Sequence, residues 1–289
     1  MNFQRHQPAI AGFPKLTPKQ AGAIRFHIAL RDNFTISTWL AFGAVLQGIV
    51  AFFFNPLYAV APVLLLLSYR GAKTLLVTLG IMRNTQMDDV LMGKHSVQVP
   101  DRDGNAPTKP SQENISIIML GARSNHPLGI FGPGHQEVAT YFHRMLVDLG
   151  KNKEESGFLG SSAWVSATER TTANQLMTVC YFRTTEDVHR FAHGALHREG
   201  WNWWNSVVHK YPHLSIMHEM YNSPPGTWEN IFVNFPLSGI GNIQTTIKIG
   251  GQDMKPIMDI GRGAVSTSKG RMGKNGRTAD EAVYEKQYV

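Results

Sequence analysis

Cysteine is nearly absent from this chain, which has one in 289 residues, Cys180. A single cysteine excludes an intrachain disulfide. Cys180 lies in the apolar run QLMTVCYF, and this setting favours a buried structural thiol over a nucleophile. A cleaved secretory signal is not predicted either, because the first twenty residues contain three prolines and no apolar core of the required length.

Charge is also scarce, and the deficit is concentrated near the N-terminus. Charged residues make up 17% of the chain, and none occurs between Asp32 and Arg70. That interval is longer than the roughly 20 residues that cross a bilayer once. The dipeptide Asn55-Pro56 divides it and favours a tight turn. The sequence therefore predicts a membrane helical hairpin over residues 36–82.

The flanks of this apolar block indicate its topology. Trp39 and Tyr69 lie near its ends, where interfacial aromatic residues occur, and basic residues flank both sides. We therefore expect both ends of the hairpin to face the cytosol and the protein to reside in the membrane of the endoplasmic reticulum, with the domain that follows the hairpin on the cytosolic side. The sequons at Asn33 and Asn114 are expected to stay unmodified. A buried hairpin of a soluble protein and a shallow re-entrant insertion are the alternatives.

The rest of the chain predicts an α+β domain between two polar segments. Its elements follow the order strand, helix, strand, strand, helix, strand, with a break of the second helix at Gly194 and an N-cap at Thr184. This βαββαβ order is typical of a ferredoxin-like unit, whose helices cover one sheet face. Dimerisation, or a ligand between sheet and helices, is the usual way to bury the remaining apolar surface.

The predicted organisation of the chain has five parts. They are an N-terminal cytosolic segment 1–35, the membrane hairpin 36–82, a linker 83–112, the ferredoxin-like domain 113–236, and a basic tail 237–289. The linker is predicted from its proline, glycine and polar residues, and the tail from its glycines, its basic residues and its few bulky apolar residues. We expect the tail to be largely flexible.

Two stretches resemble a known family. FAHGALHREGWNWWN and HEMYNSPPGTWENIFVNFP, together with the order of elements, are similar to the fungal branch of the antibiotic-biosynthesis-monooxygenase superfamily. The resemblance covers roughly residues 30–240. It implies a membrane hairpin followed by a dimeric α/β-barrel domain, a homodimer, and a small-molecule pocket between sheet and helices. It also implies a histidine in or near the second helix, to which His197 corresponds best.

Histidine chemistry gives the catalytic hypothesis. Oxygenation without a cofactor requires a base that deprotonates the substrate, and a histidine that titrates near neutrality suits this role. His197 is the first candidate and His193 the second; helix capping or stacking on tryptophans is the alternative for both. Their spacing of four residues suits a metal only on an unbroken helix, and no third ligand at a convincing spacing is visible, so no metal site is predicted.

Aromatic and amide side chains near these histidines are candidates for substrate binding. Helical spacing places Trp201 and Trp204 on one face, although core packing explains such a pattern as well. In the strand HLSIMHEMY, Tyr221 and His218 are predicted to face opposite sides, as are His213 and His218. The predicted substrate-binding residues are Trp201, Trp204, Tyr221, Asn222 and Trp164.

These observations lead to one functional prediction and its rivals. We expect a membrane-anchored monooxygenase that oxidises a lipophilic polyketide or terpenoid intermediate of secondary metabolism. Dioxygen is the expected co-substrate, and the cofactor is either none or haem, with His197 as the axial ligand. A cofactor-free lyase or isomerase and a non-catalytic membrane adaptor are the alternatives. Nucleic acid is not an expected partner, because the basic residues lack an interleaved aromatic platform.

Overall fold

An antiparallel four-stranded sheet, here called the main sheet, forms the centre of the α+β unit in the computed structural model. The structure describes residues 6–8, 26–167, 175–249 and 251–274. The main sheet has the strand order β4-β5-β3-β6. Its strands are β3 Ile115–Ser124, β4 Phe158–Val165, β5 Gln175–Phe182 and β6 Leu214–Ser223.

Helices follow β3 and β5, so the predicted βαββαβ order is confirmed. They are α3 His135–Lys151, the short α4 Lys153–Ser156, α5 Thr185–Ala192 and α6 Ala195–Val207. The Thr184 hydroxyl accepts a hydrogen bond from the backbone N–H of Asp187 and caps α5, as predicted. Gly194 separates α5 from α6 and occupies the N-cap of α6, which confirms the predicted break.

One face of the main sheet packs against the helices. Its core brings together Ile118, Leu149, Phe158, Cys180, Phe182 and Val188. Since successive residues of a strand point to opposite faces, the cross-strand partners of Ile118 identify the other side chains of this helix-covered face. Cys180 and Met220 are those partners, on β5 and β6 respectively. The buried position of Cys180 confirms the predicted structural thiol.

A second antiparallel sheet, here called the small sheet, covers part of the opposite face. Its order is β1-β9-β2-β7, with β8 on β9. The strands are β1 His6–Pro8, β2 Val90–Val97, β7 Phe232–Pro236, β8 Ile247–Ile249 and β9 Gln252–Asp259. Val97, Phe232 and Ile257 of the small sheet share a core with Ile115 and Leu159 of the main sheet. The two sheets are therefore joined by one apolar layer.

The small sheet corrects two predictions. Segment 83–112 is not a linker throughout, because β2 lies within it and Val97 is fully buried. Residues 237–274, where described, are not a flexible tail: Ile247 and Ile260 are fully buried, and residues Ser268–Arg271 form the short helix α7. Sparse isoleucines among glycines and lysines suffice there because strands from distant segments cover them. Residues 275–289 of the predicted tail lie outside the described part.

Two apolar helices precede this unit. α1 Ile36–Phe53 is capped by Thr35, and α2 Pro56–Thr78 is capped by Asn55, whose side chain accepts a hydrogen bond from Leu57 N–H. Both are long and apolar enough to cross a membrane, and neither buries the residues of its apolar window. At 1.5 Å per residue they measure about 27 and 34 Å, close to the roughly 30 Å of a hydrocarbon core. Gln47 Nε2 donates to the Ala59 carbonyl and joins the two helices.

Candidate functional site

His197 lies in the first turns of α6, half-buried between this helix and the main sheet. Its ring contacts the Phe191 ring edge-to-face, with centroids 5.2 Å apart. Burial lowers the pKa of His197, and the nearby His193 and His218 lower it as well, while a hydrogen bond to the backbone of Ala192 raises it. The net direction is downward, so the imidazole is neutral at pH 7 and able to accept a proton.

The stripe of α6 that contains His197 also contains Trp201 and Trp204, four and seven residues further on. A neighbouring stripe packs on α3: a Cβ on Gly200 would come within 2.7 Å of Met145 Cε, and the Trp203 ring lies 5.5 Å from that of Tyr141. Trp204 is half-buried, whereas Trp201 is 53% exposed. Trp203 therefore forms the aromatic contact between α6 and α3, whereas Trp201 and Trp204 lie on the neighbouring stripe with His197.

The edge strand β6 supplies the opposite wall. Leu120 pairs with His218 and Ile118 pairs with Met220, so both β6 side chains share the helix-covered face. Ile216, which pairs with Ala122, lies on this face as well and is 47% exposed. We call the space between these two elements the α6–β6 groove. The name stands for the side chains of the two elements on this side of the sheet, which are His197, Trp201, Trp204, Ile216, His218 and Met220.

Asn222 marks one end of the same face. Its side-chain oxygen accepts hydrogen bonds from Ser116 Oγ at 2.8 Å and from Asn114 Nδ2 at 3.0 Å. Asn114 also donates to the Arg183 carbonyl at 2.7 Å. Asn222 is therefore held in a polar network that joins β6 to β3 and to the residue after β5, on the side of the sheet where His197 lies.

Trp164 and Tyr221 lie on the other face, so the structure does not bring them together with His197. Trp164 pairs with Met177, and Tyr221 pairs with Ile117, whose side chain packs towards the small sheet. The Tyr221 hydroxyl donates to Glu219 Oε2 at 2.6 Å, and this hydrogen bond raises the pKa of the phenol. The prediction that Tyr221 and His218 face opposite sides of β6 is confirmed.

His193 and His213 have local partners. His193 is the C-cap of α5, is exposed, and its Nδ1 lies 2.8 Å from the carbonyl oxygen of His189. His213 precedes β6 rather than lying in it, with Nε2 2.9 Å from the Pro133 carbonyl oxygen. The prediction that His213 shares the strand is therefore wrong. In the part of the chain described, no three His, Cys, Asp or Glu residues group as metal ligands.

Sequence reasoning missed His218 as the neighbour of His197. Strand parity placed His218 opposite Tyr221, but the side covered by the helices was not evident, since Ile117 and Ile118 on β3 are both apolar. The pairing of His218 with Leu120 in the sheet shows that His218 lies on the helix-covered face, but this pairing cannot be read from the sequence. The groove thus presents a neutral imidazole in an aromatic and aliphatic setting, which suits proton abstraction from an apolar substrate.

Some solved structures are weakly similar to this chain, with low sequence identity and low TM-scores. A cofactor-independent oxygenase from Streptomyces nogalater, SnoaB, has a TM-score of 0.26 and 11% identity, covering 37% of this chain and 90% of that one. An aldoxime dehydratase has a TM-score of 0.33 and 18% identity, covering 54% of this chain and 40% of the other.

Sequence comparison identifies the family. The family described as Monooxygenase af470-like matches residues 115–240, the segment that contains the main sheet and the groove. A curated relative, Monooxygenase af470 from Aspergillus fumigatus, is 32% identical over 205 residues, which cover 71% of this chain and 74% of the relative. The chain therefore belongs to the af470-like monooxygenases and is an oxidoreductase.

Proposed function

We propose that the protein is a membrane-anchored monooxygenase that oxidises a lipophilic polyketide or terpenoid intermediate in secondary-metabolite biosynthesis. The observation that carries the proposal is the half-buried His197, with its lowered pKa, in the apolar α6–β6 groove. Membership of a monooxygenase family supports the reaction class.

The chemistry assigned to His197 is proton abstraction. A neutral imidazole takes a proton from an acidic C–H or O–H group of the substrate, and the resulting anion gives an electron to dioxygen. Recombination of the substrate radical with superoxide forms a C–O bond and gives a peroxide, to which the imidazolium of His197 returns the proton. Loss of a second substrate hydrogen as a proton then breaks the O–O bond, so that one oxygen atom stays on the substrate as a carbonyl and the other leaves as water. Trp204 and Met220 offer apolar contacts to the bound substrate, and Asn222 offers a polar group at the end of the groove. His193 is the reserve base.

Haem is the alternative cofactor state, with the same histidine as its ligand. Histidines that bind a metal commonly donate their other ring N–H to a backbone carbonyl, and the hydrogen bond between His197 and Ala192 fits this pattern. His197 would then hold the haem iron through its second nitrogen, and the haem would supply dioxygen activation. We favour the cofactor-free reaction because an acidic substrate needs only a base and an apolar pocket.

The two apolar helices support the proposal that the substrate is lipophilic. Apolar intermediates partition into a bilayer, and α1 and α2 would keep the groove beside it. Basic residues on both flanks of the apolar block favour a domain on the cytosolic side, and we propose this orientation with the endoplasmic reticulum as the membrane. Protease treatment of sealed microsomes should digest the domain, whereas protection would refute this topology.

A homodimer would cover the part of the main sheet that the small sheet leaves open. Trp164, Met217 and Tyr221 on that face are 45%, 42% and 53% exposed. Closing two such faces on each other makes the dimeric α/β barrel that the family resemblance implies. Met217→Glu should dissociate the dimer in detergent, as measured by light scattering. A monomeric parent protein would contradict this part of the proposal.

Isotope incorporation tests the activity. The purified full chain, with a candidate polyketide or terpenoid substrate, should incorporate one atom from ¹⁸O₂, as measured by mass spectrometry. His197→Asn should lower the rate by about 10²- to 10⁴-fold, the usual contribution of a general base. His209→Asn is the matched control, since His209 is exposed near the end of α6.

The same preparation decides between the two cofactor states. A colourless enzyme that incorporates the label supports the cofactor-free reaction. A Soret band that disappears in His197→Asn assigns haem to His197 instead. Product formation without dioxygen would refute the monooxygenase proposal in favour of a lyase or isomerase.

A further inference from the structure

Asn33 joins the apolar helices to one end of the α+β domain. Its side chain is fully buried although it lies three residues before α1. Asn33 Nδ2 donates to the Leu128 carbonyl at 3.2 Å, and Asn33 Oδ1 accepts from Ile130 N–H at 2.8 Å. Both hydrogen bonds reach the connection between β3 and α3, residues 125–134, here called the β3–α3 loop. The amide thus fixes this loop to the start of α1.

The β3–α3 loop exposes two large apolar side chains beside that attachment. Leu128 and Phe131 are 55% and 53% exposed, although the backbone between them is held by Asn33. The loop contains no lysine, arginine or carboxylate. A fixed loop that keeps leucine and phenylalanine in contact with water, without charges nearby in sequence, is typical of a surface that meets another apolar phase.

The attachment of the loop beside the start of α1 indicates that this apolar phase is lipid. Trp39 lies in the first turn of α1, its Nε1 donates to the Arg31 carbonyl at 2.8 Å, and its ring contacts Phe34 edge-to-face. Tryptophan and its neighbours at the first turn of a spanning helix mark the level of the lipid headgroups. Residue 33 lies before that turn, so the loop bonded to it lies at the same level. A lipid surface is therefore the partner that the geometry favours.

The loop also lies at one end of the α6–β6 groove. Gly134, at the end of the loop, lies against Leu214 at the start of β6 and against Tyr211, which follows α6; a Cβ at Gly134 would approach both within 3 Å. Asn125 N–H donates to the His213 carbonyl at 2.7 Å. The elements that form the groove walls thus meet the loop where α6 leads into β6.

We propose that the β3–α3 loop is a second membrane contact, with Leu128 and Phe131 inserted among the lipid headgroups, so that this end of the α6–β6 groove faces the bilayer. The inference deepens the proposed function and rests on its membrane anchoring. A substrate that arrives from the bilayer would then enter the groove at the end where the loop lies. Because the loop is free of carboxylate and ammonium groups, its insertion should not require anionic lipid.

Depth-dependent quenching tests the proposal. The full chain is placed in phosphatidylcholine vesicles with an environment-sensitive fluorophore on a cysteine introduced as Phe131→Cys. Cys180, the native cysteine, is buried, and the unsubstituted chain serves as the labelling blank. Leu46→Cys reports on the middle of α1, and Glu186→Cys reports on the exposed start of α5, at the opposite end of the main sheet.

The expected result is a blue-shifted emission at position 131 that is lost when headgroup-proximal spin-labelled lipid is added, with no loss at position 186. Quenching at position 46 by lipid spin-labelled deep in the acyl chain, without quenching at position 131 by the headgroup-proximal label, would overturn the inference and leave the anchoring intact. A blue shift at 131 that lipid does not quench would overturn it in favour of a protein partner, such as a second copy. Absence of quenching at position 46 by lipid spin-labelled deep in the acyl chain would refute the membrane anchoring itself.

Discussion

The buried carboxylate of Asp187 gives the sharpest stability prediction, because it joins the predicted linker to the second helix pair. Arg102 Nη2 donates to Asp187 Oδ1 at 3.0 Å and to Oδ2 at 2.8 Å. Arg190 Nη1 donates to Oδ1 at 2.9 Å. Asp187 is fully buried, whereas the side chains of Arg102 and Arg190 are 51% and 55% exposed. The carboxylate therefore depends on both guanidinium groups for its solvation.

The magnitude follows from this unequal burial. A hydrogen bond to a charged group contributes about 1.5–3 kcal/mol, and the half-exposed Arg102 keeps part of its hydration, so we expect a coupling with Asp187 of about 1–2 kcal/mol. Asp187→Ala should cost about 2–4 kcal/mol in the free energy of unfolding, because both arginines lose their partner and a small cavity remains. For a unit of this size, each kcal/mol corresponds to about 2–4 °C in Tm.

The assay is a double-mutant cycle of Arg102→Ala and Asp187→Ala, measured by denaturant unfolding of the full chain in detergent. Arg144 and Glu199 provide a matched control, since they form a comparable paired contact with both side chains about half exposed. Their cycle should show no resolvable coupling. If the Arg102–Asp187 coupling is no larger than that of the control, the segment around Arg102 is not docked on α5.

The elements with strong local signals could be predicted from the sequence. The apolar spacing of α3, the Thr184 cap and the Gly194 break each depend on residues within one or two turns, and each occurs where expected. The uncharged interval predicts α1 and the first part of α2, although α2 continues past Arg70 and Lys73 to Thr78. Local periodicity therefore accounts for most of the main sheet and its helices.

The small sheet could not be predicted in the same way. β2 has lysine and histidine among its central residues, and its partners β7 and β9 lie more than a hundred residues away. A strand that alternates weakly is stabilised by such distant partners rather than by its own pattern. Asn230 illustrates this: its side chain bonds Val97 N–H at 2.7 Å and the Val97 carbonyl at 2.8 Å, a contact across 133 residues.

The candidate site could be predicted only in part, because it too depends on contacts between distant segments. Strand parity separates Tyr221 from His218, but parity does not tell which face carries the helices. The sequence therefore does not separate Trp164 and Tyr221 from His197, although they lie on the opposite face. Helical spacing alone predicts that Trp201 and Trp204 share one face of α6, and the packing of Gly200 on Met145 decides which residues of α6 face α3.

Two further predictions concern α6. Gly200→Leu should lower the stability by about 1–3 kcal/mol in denaturant unfolding, because its side chain would displace Met145; Gly200→Ala should change little, since that methionine end is flexible. The other prediction is a pH dependence. Burial and the nearby His193 and His218 lower the pKa of His197 in the folded protein, so the unfolded chain binds its proton at a higher pH. Stability should therefore fall as the pH drops from the ordinary histidine pKa of about 6.5 towards the folded value. The same titration should appear as an acid limb in kcat/KM with its midpoint below that pKa, because only the neutral imidazole accepts the substrate proton. His197→Asn should remove both the limb and the stability change. An acid limb that persists with an unchanged midpoint in this variant would assign the base to another residue.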